Sequence, residues 1–281
     1  MTPAMTFTDH VQETLVTTFD TPTPIRARVR LHAGGLRAIA SDTEHTVVTV
    51  LPSRPDRAGD VDAAERTSVT FVDGVLDVTA PRDRGISLVW RPSSVEVLIE
   101  LPSGSHLDAE TAAGDIEATG RLGECTLKTS AGNVRADETA RAQLRTSAGN
   151  VDVRRATVEA DLSTSAGNVS LGESGGRATL RASTGDISVG RSSGRLDART
   201  SYGQMRVDSI TEGELTLATG YGSIDVGVLD GTAARLEVAS DHGHVRSELS
   251  PTAGRPEDAA RTATIAAVTK YGNITIRKAL S

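Results

Sequence analysis

Two aspartates are the first residues to test for acid–base chemistry, because each follows a recurring glycine. Asp115 follows Gly114, and Asp186 follows Gly185 in the same short phrase. If each phrase marks one layer of a stack, four layers separate the carboxylates, or about 19 Å at about 4.8 Å per strand. Paired acids in glycosidases stand roughly 5 to 9.5 Å apart. The spacing predicts no catalytic pair here, although acids in other columns keep a carbohydrate-active enzyme open as a third hypothesis.

Histidine and cysteine are the other residue types that could bind a metal or react. His242-Gly-His244 could form half of a metal site, because imidazoles are common ligands, but we favour the simpler interpretation of two polar residues at a solvent-facing corner. Cys125 is the single cysteine and belongs to a column of inward residues, which favours a buried structural thiol. We therefore predict no catalytic residue, no metal site and no cofactor.

The element that must position all of these residues is a repeat. Phrases such as Thr-Ser-Ala-Gly-Asn-Val recur, and the intervals between their glycines are 18, 17, 18, 18, 18, 19, 21 and 29 residues. A period near 20 residues is typical of stacked repeats. The predicted structural corners are Gly114, Gly132, Gly149, Gly167, Gly185, Gly203, Gly222, Gly243 and Gly272.

Apolar residues alternate on both sides of each corner. Around Gly149, for example, Ala142 and Leu144 precede the glycine, and Val151 and Val153 follow it. Spacing of two predicts two short β-strands per repeat, joined by a glycine with positive φ. A threonine three residues before most corners shares the inward parity, and we expect its hydroxyl to bond the corner backbone.

These features predict an all-β, single-stranded parallel β-helix with rungs of about 18 residues. A β-meander is the main alternative, but identical copies stacked in register favour parallel pairing. Right-handed crossovers prevail between parallel strands, so we favour a right-handed coil. Left-handed hexapeptide helices, which have rungs of similar length, are the other possibility.

The chain divides into a cap and a solenoid. Residues 1–105 are predicted to form an irregular β-rich cap continuous with the solenoid, with weaker corners at Gly34 and Gly74 and a short helix over 60–66 capped by Asp60. Residues 106–281 are predicted to form the repeats. The long last interval, rich in turn residues over 251–261, is interpreted as a loop insertion.

Two columns beside the corners could bind a ligand. Asn133, Asn150 and Asn168 share one position, which indicates an amide ladder rather than a ligand site. A second column holds the candidate interaction strip, which consists of Tyr202, Tyr221, His242 and Tyr271. These rings either stack on one another or form an exposed surface that recognises a protein or a glycan.

Composition limits the partners. The net charge of −7 and the lack of a basic stripe argue against nucleic acid. No stretch approaches the roughly 20 apolar residues of a membrane span, and the first ten residues do not resemble a signal peptide. We therefore expect a cytoplasmic protein.

The repeats, together with Val95–Asp108 leading into Thr-Ala-Ala-Gly-Asp-Ile116, resemble a bacterial family of β-strand-repeat "putative adhesins" that is common in actinobacteria and firmicutes. The resemblance covers roughly residues 20–278. It implies a β-helical fold and supplies no catalytic residues and no cofactor. Many members of that family are secreted or attached to membranes.

The leading hypothesis is a non-enzymatic scaffold or interaction protein whose partner is another protein or a second copy of itself, as a dimer or a filament. Ile274 and Ile276 lie in the last strand of the sequence and are predicted to form an exposed assembly end, unless the 251–261 loop covers it. The alternative is an adhesin-like binder of cell-surface polymer.

Overall fold

The structure is a computed structural model that describes residues 15–81, 93–249 and 261–279. The first part of the chain contains β1 (Leu15–Asp20), β2 (Arg26–Arg30), β3 (Leu36–Ser41), β4 (His45–Pro52), α1 (Ala58–Glu65), β5 (Ser68–Val72), β6 (Val75–Thr79), β7 (Val95–Pro102) and β8 (His106–Ala113). The repeats contain β9 (Ile116–Ala131), β10 (Val134–Ala148), β11 (Val151–Ala166), β12 (Val169–Ser174), β13 (Arg177–Thr184), β14 (Ile187–Tyr202), β15 (Met205–Tyr221), β16 (Ile224–Leu229), β17 (Thr232–His242), β18 (Val245–Ser247), β19 (Arg261–Tyr271) and β20 (Ile274–Ala279).

Successive repeats pair in parallel and in register. On the face that follows each corner, Val134 pairs with Val151, which pairs with Val169. On the face that precedes each corner, Leu144 pairs with Leu162, which pairs with Leu180. Each rung therefore uses one corner and two faces, and the predicted all-β parallel β-helix is confirmed. Its handedness stays a prediction.

The corners explain why glycine recurs. Eight of the nine predicted corner glycines have φ between +141° and +154°, and Gly243 is the exception. A Cβ at Gly149 would also overlap the carbonyl oxygen of Gly132 in the rung below, and the same holds at the other corners. Two independent constraints therefore exclude a side chain: the backbone conformation and the close approach of adjacent rungs.

The threonine column closes each corner. Six threonine hydroxyls donate to the carbonyl oxygen of the corner glycine one rung below, at 2.9 to 3.1 Å; they belong to Thr129, Thr146, Thr164, Thr200, Thr219 and Thr269. Ser240 does the same for Gly272 at 2.8 Å. The predicted role of these hydroxyls is confirmed. They satisfy polar groups beside a core that consists mainly of Val, Leu, Ile and Ala.

The N-terminal segment is hydrogen-bonded onto the first repeat. β2 pairs in parallel with β8, and β3 pairs with β9, so Gly34 lies directly below Gly114 as a further corner. Beyond it, β4 pairs with both β7 and β1 in antiparallel fashion. The predicted corner at Gly74 is wrong, because Asp73 and Gly74, both with positive φ, turn the antiparallel hairpin of β5 and β6. A hairpin and a repeat have the same alternation of residues around a glycine, so the sequence pattern does not distinguish them.

The predicted short helix exists, but Asp60 does not cap it. The helix α1 begins at Ala58, and Asp60 lies in its first turn with its side chain fully buried. Its carboxylate accepts hydrogen bonds from Arg54 at 3.1 Å, from Arg57 at 3.0 Å and from the backbone of Ser94 at 3.1 Å. This buried charge is therefore paired, and it joins the helix to the segment before β7.

The last rungs are stacked in a different order from their order along the chain. Tyr221 pairs with Tyr271, and Tyr271 pairs in turn with His242. On the other face, β20 lies between β16 and β18. The last segment of the chain is thus inserted inside the stack. The terminal rung, formed by β17 and β18, comes from residues 232–247.

This order corrects the predicted assembly end. Ile274 and Ile276 are fully buried between two rungs, so they cannot form an exposed surface. The physical reason is composition: the final segment carries the more apolar inward residues, whereas the corresponding positions of β18 are Val245 and Ser247. Residues 251–260 of the predicted loop lie outside the described residues, and Arg261 begins β19.

Replacing a corner glycine tests the corner constraint. Gly149→Ala should lower the free energy of unfolding by about 1–3 kcal/mol through its positive φ, and by roughly 1–3 kcal/mol more through the overlap with Gly132. Gly74→Ala is the matched control, because Gly74 has positive φ but no heavy atom within 4 Å of an added Cβ. Chemical denaturation of both variants measures the difference. Equal losses would show that the rungs do not approach closely at the corner.

Candidate functional site

The corner carboxylates do not converge on a reaction centre. Asp115 Oδ1 accepts the backbone N–H of Asn133 at 2.7 Å, and Asp186 Oδ1 accepts that of Gln204 at 2.7 Å. Each aspartate is therefore engaged in bonding the next rung. In the described ranges, no group of three or more His, Cys, Asp or Glu residues is placed to hold a metal ion.

The asparagine column forms a ladder of side chains bonded to backbone. Asn133 Oδ1 accepts the N–H of Asn150 at 3.0 Å, and Asn150 Oδ1 accepts that of Asn168 at 2.9 Å. Asn168 continues the ladder to Asp186 at 2.9 Å. The predicted ladder is present: the acceptor of each bond is a side-chain oxygen, and the donor is the backbone N–H of the next corner.

A shallow polar groove of about 560 Å³ runs beside this ladder. It is lined on its outer side by Glu117, Arg135, Asp152, Ser170 and Ser188. Arg135 forms an ion pair with Asp152 at 3.7 Å, so part of the charge in the groove is neutralised. The groove can offer hydrogen bonds to a polar ligand, but it is open to solvent and has no enclosed pocket for a cofactor.

Cys125 is buried in the core, as its column predicts. Burial raises the pKa of this thiol to about 11, although a hydrogen bond with Thr139 lowers the pKa in part. The thiol is therefore protonated near neutral pH and is a poor nucleophile.

The candidate interaction strip is a continuous stack of rings. Tyr202 and Tyr221 lie 5.0 Å apart between ring centroids, and Tyr221 and Tyr271 lie 4.7 Å apart. His242 stacks on Tyr271 at 4.6 Å. The order along the stack follows the rungs in space, so His242 lies at the end. About half of each tyrosine is exposed, from 46% for Tyr271 to 56% for Tyr202.

Stacking determines which part of the strip a partner could reach. Neighbouring ring planes are within 5° to 14° of parallel, so the faces of Tyr221 and Tyr271 are covered by adjacent rings. Among the described rings, Tyr202 and His242 have a ring neighbour on one face only, because they lie at the two ends of the stack. Sugar recognition commonly uses ring faces, whereas a row of edges and hydroxyls suits hydrogen bonding.

The terminal rung is the feature that sequence reasoning placed wrongly. Leu236 and Val238 are only partly buried, although their counterparts in the rung below, Ile265 and Ala267, are completely buried. Val245 is 46% exposed. The available signal was that Arg235 and Glu237 alternate with apolar residues here, which makes this segment more polar than residues 261–271.

The ring strip should contribute modestly to stability. Tyr221→Ala removes two ring contacts and should lower the free energy of unfolding by about 1–3 kcal/mol, whereas Tyr202→Ala removes one and should cost about half as much. Alanine already occupies this slot at Ala131, Ala148 and Ala166, so the rung tolerates the change. Thermal unfolding of both variants measures the losses. Equal values would contradict a continuous stack.

Similar solved structures include a putative adhesin from Bacteroides fragilis, at 14% identity, with 95% of this chain and 97% of that chain covered and a TM-score of 0.47. A putative adhesin from Parabacteroides distasonis is 10% identical, with 94% of this chain and 98% of that chain covered and a TM-score of 0.41. A putative lipid binding protein from the same species is 11% identical, with 95% of this chain and 97% of that chain covered and a TM-score of 0.39.

No curated protein sequence matches the chain. In the described part of the chain, no helix is long and apolar enough to cross a membrane. The sequence model of a family described as Toastrack DUF4097 matches residues 61–277, from α1 to the last strand. The resemblance to the family of putative adhesins is thereby confirmed. Because the match spans well over half of the 281 residues, the chain belongs to the Toastrack DUF4097 family.

Proposed function

We propose that this protein is a non-enzymatic β-helical scaffold that binds a second copy of itself end to end through the terminal rung. The observation that carries the proposal is the incomplete burial of that rung. Val245 is 46% exposed, whereas Ile274, its counterpart one rung below, is completely buried. A further rung supplied by another molecule would cover the same positions.

The backbone of the terminal rung supports the same proposal. Within the described ranges, β17 pairs only with β19, and β18 pairs only with β20. Among the residues that the structure describes, the opposite edge of each strand therefore has no strand partner for its N–H and C=O groups. Natural proteins usually cover or pair such edges, because an open edge is a template for another strand.

The corner chemistry supports a role without catalysis. The two corner aspartates bond the backbone of adjacent rungs, and the groove beside the asparagine ladder contains a charge pair rather than a free acid and base. Interaction through a surface is the activity that these residues can perform.

A lysine at the terminal rung tests the association. Val245→Lys should keep the protein monomeric at concentrations where the wild type associates, because a charge would be buried in the interface. Val158→Lys is the matched control, because Val158 is 49% exposed in the middle of the stack. Size-exclusion chromatography with light scattering measures the mass. A wild type that stays monomeric at high concentration would contradict the proposed function.

A second function, adhesin-like binding of a cell-surface polymer, is favoured by the exposed ring strip beside the polar ladder. Its ring edges and hydroxyls form a row of hydrogen-bonding groups about one strand spacing apart. Such a row suits an extended polymer better than a compact ligand.

Co-sedimentation with isolated bacterial cell walls tests this second function. The triple variant Tyr202→Ala, Tyr221→Ala and Tyr271→Ala should lose most of the bound fraction. The control replaces the exposed Val16, Val72 and Val158 by alanine, and it should bind like the wild type. If the wild type does not co-sediment, or if both triple variants bind equally, the strip is not a polymer site.

A further inference from the structure

We infer that the second copy docks tail to tail, with β17 of each copy pairing antiparallel about a two-fold axis at Leu236. This inference rests on the proposed self-association and names its geometry. The two copies would form a closed dimer rather than a filament, because a symmetric contact uses the terminal rung of both molecules.

The alternation along β17 limits the possible registers. Ala234, Leu236 and Val238 point inward and are partly buried, whereas Arg235 and Glu237 point to solvent. In an antiparallel pair of identical strands related by a two-fold axis, the numbers of any two residues that lie opposite each other add up to the same sum. Inward residues meet inward residues only if that sum is even. The centre of β17 is Glu237, so the registers nearest the centre have sums of 470, 472, 474, 476 and 478.

Charge excludes three of these five registers. Sums of 470 and 474 place Arg235 opposite Arg235 and Glu237 opposite Glu237 of the second copy, and a sum of 478 places Glu237 opposite Asp241. Like charges directly opposite each other destabilise a strand pair. A sum of 472 places Arg235 opposite Glu237 of the second copy, and a sum of 476 places Arg235 opposite Asp241, each twice by symmetry. These two registers remain.

The inward residues select the register centred on Leu236. With a sum of 472, Leu236 meets Leu236 of the second copy, Ala234 meets Val238, and Thr232 meets Ser240. Small residues thus face larger ones, and hydroxyls face hydroxyls. A sum of 476 would instead place the apolar side chain of Leu236 opposite the hydroxyl of Ser240. In the single chain, Arg235 and Glu237 already form an exposed ion pair at 3.0 Å, so they exchange one carboxylate–guanidinium contact for another in the dimer.

Head-to-tail docking offers no such match. The edge strand at the other end of this face is β5, which pairs only with β6 among the described strands. Its residues, Ser68–Val72, carry no charge. Arg235 and Glu237 would find no counterpart there, so charge complementarity favours the two-fold dimer over a filament.

Charge reversal tests the register without disturbing the core. Arg235→Glu and Glu237→Arg should each raise the dimer Kd by about tenfold or more, because both symmetric contacts become repulsive. An equimolar mixture of the two variants should restore dimers, because every Glu then faces an Arg. Arg195→Glu is the control: Arg195 is also exposed and paired, to Glu214 at 3.4 Å, but lies within the stack. It should leave the Kd unchanged.

Native mass spectrometry of differently tagged variants measures these species. If the wild type dimerises but the mixture does not, or if Arg235→Glu dimerises like the wild type, the register is wrong while the proposed self-association survives. If the wild type never associates, both proposals fail.

Cysteine cross-linking provides an independent measurement in a Cys125→Ala background. Leu236→Cys should form a covalent dimer with a short bifunctional maleimide, because the two thiols meet at the axis. Val238→Cys should not, because residue 238 of the second copy lies four positions away along the strand, about 13 Å. Cross-linking of Val238→Cys as efficiently as Leu236→Cys would overturn the register.

Discussion

The contact between corner glycines is the constraint on which the rest of the molecule depends. The carbonyl oxygen of each corner occupies the space that a Cβ would need in the rung above it, as Gly132 does below Gly149. Positive φ and this contact act at the same position, and a threonine hydroxyl from the upper rung bonds the same carbonyl. Every rung must therefore meet the next in register at one edge.

Because the corners are in register, residues at the same distance from the corner glycine in successive rungs form a column. Residues after the glycine become a ladder from Asp115 to Gln204, and residues before it become the ring stack. Polar and aromatic residues that look like candidates for chemistry in the sequence thus have a structural role between rungs. The ends of the stack differ, because within the described ranges the rung there pairs with another rung on one side only. We propose the terminal rung as the main interaction surface for that reason.

The repeat and the inward columns could be predicted from the sequence because both follow from local alternation around a glycine. The order of the last rungs could not be predicted in this way. An interval of 29 residues after Gly243 is compatible with a loop that leads to the next rung or with one that returns the chain to the rung below. The greater apolar content of Ile274 and Ile276 favours the second. Gly74 shows the same limit, because alternation alone does not distinguish a parallel corner from a hairpin.

Hydrogen–deuterium exchange at two protein concentrations tests the central claim most directly. At low concentration the account predicts slow exchange in β19, which is paired on both sides, and faster exchange in β17. At high concentration β17 should become protected, whereas β19 should not change. Equal protection of β17 and β19 at both concentrations, or faster exchange in β19, would contradict a terminal rung that associates with a second copy.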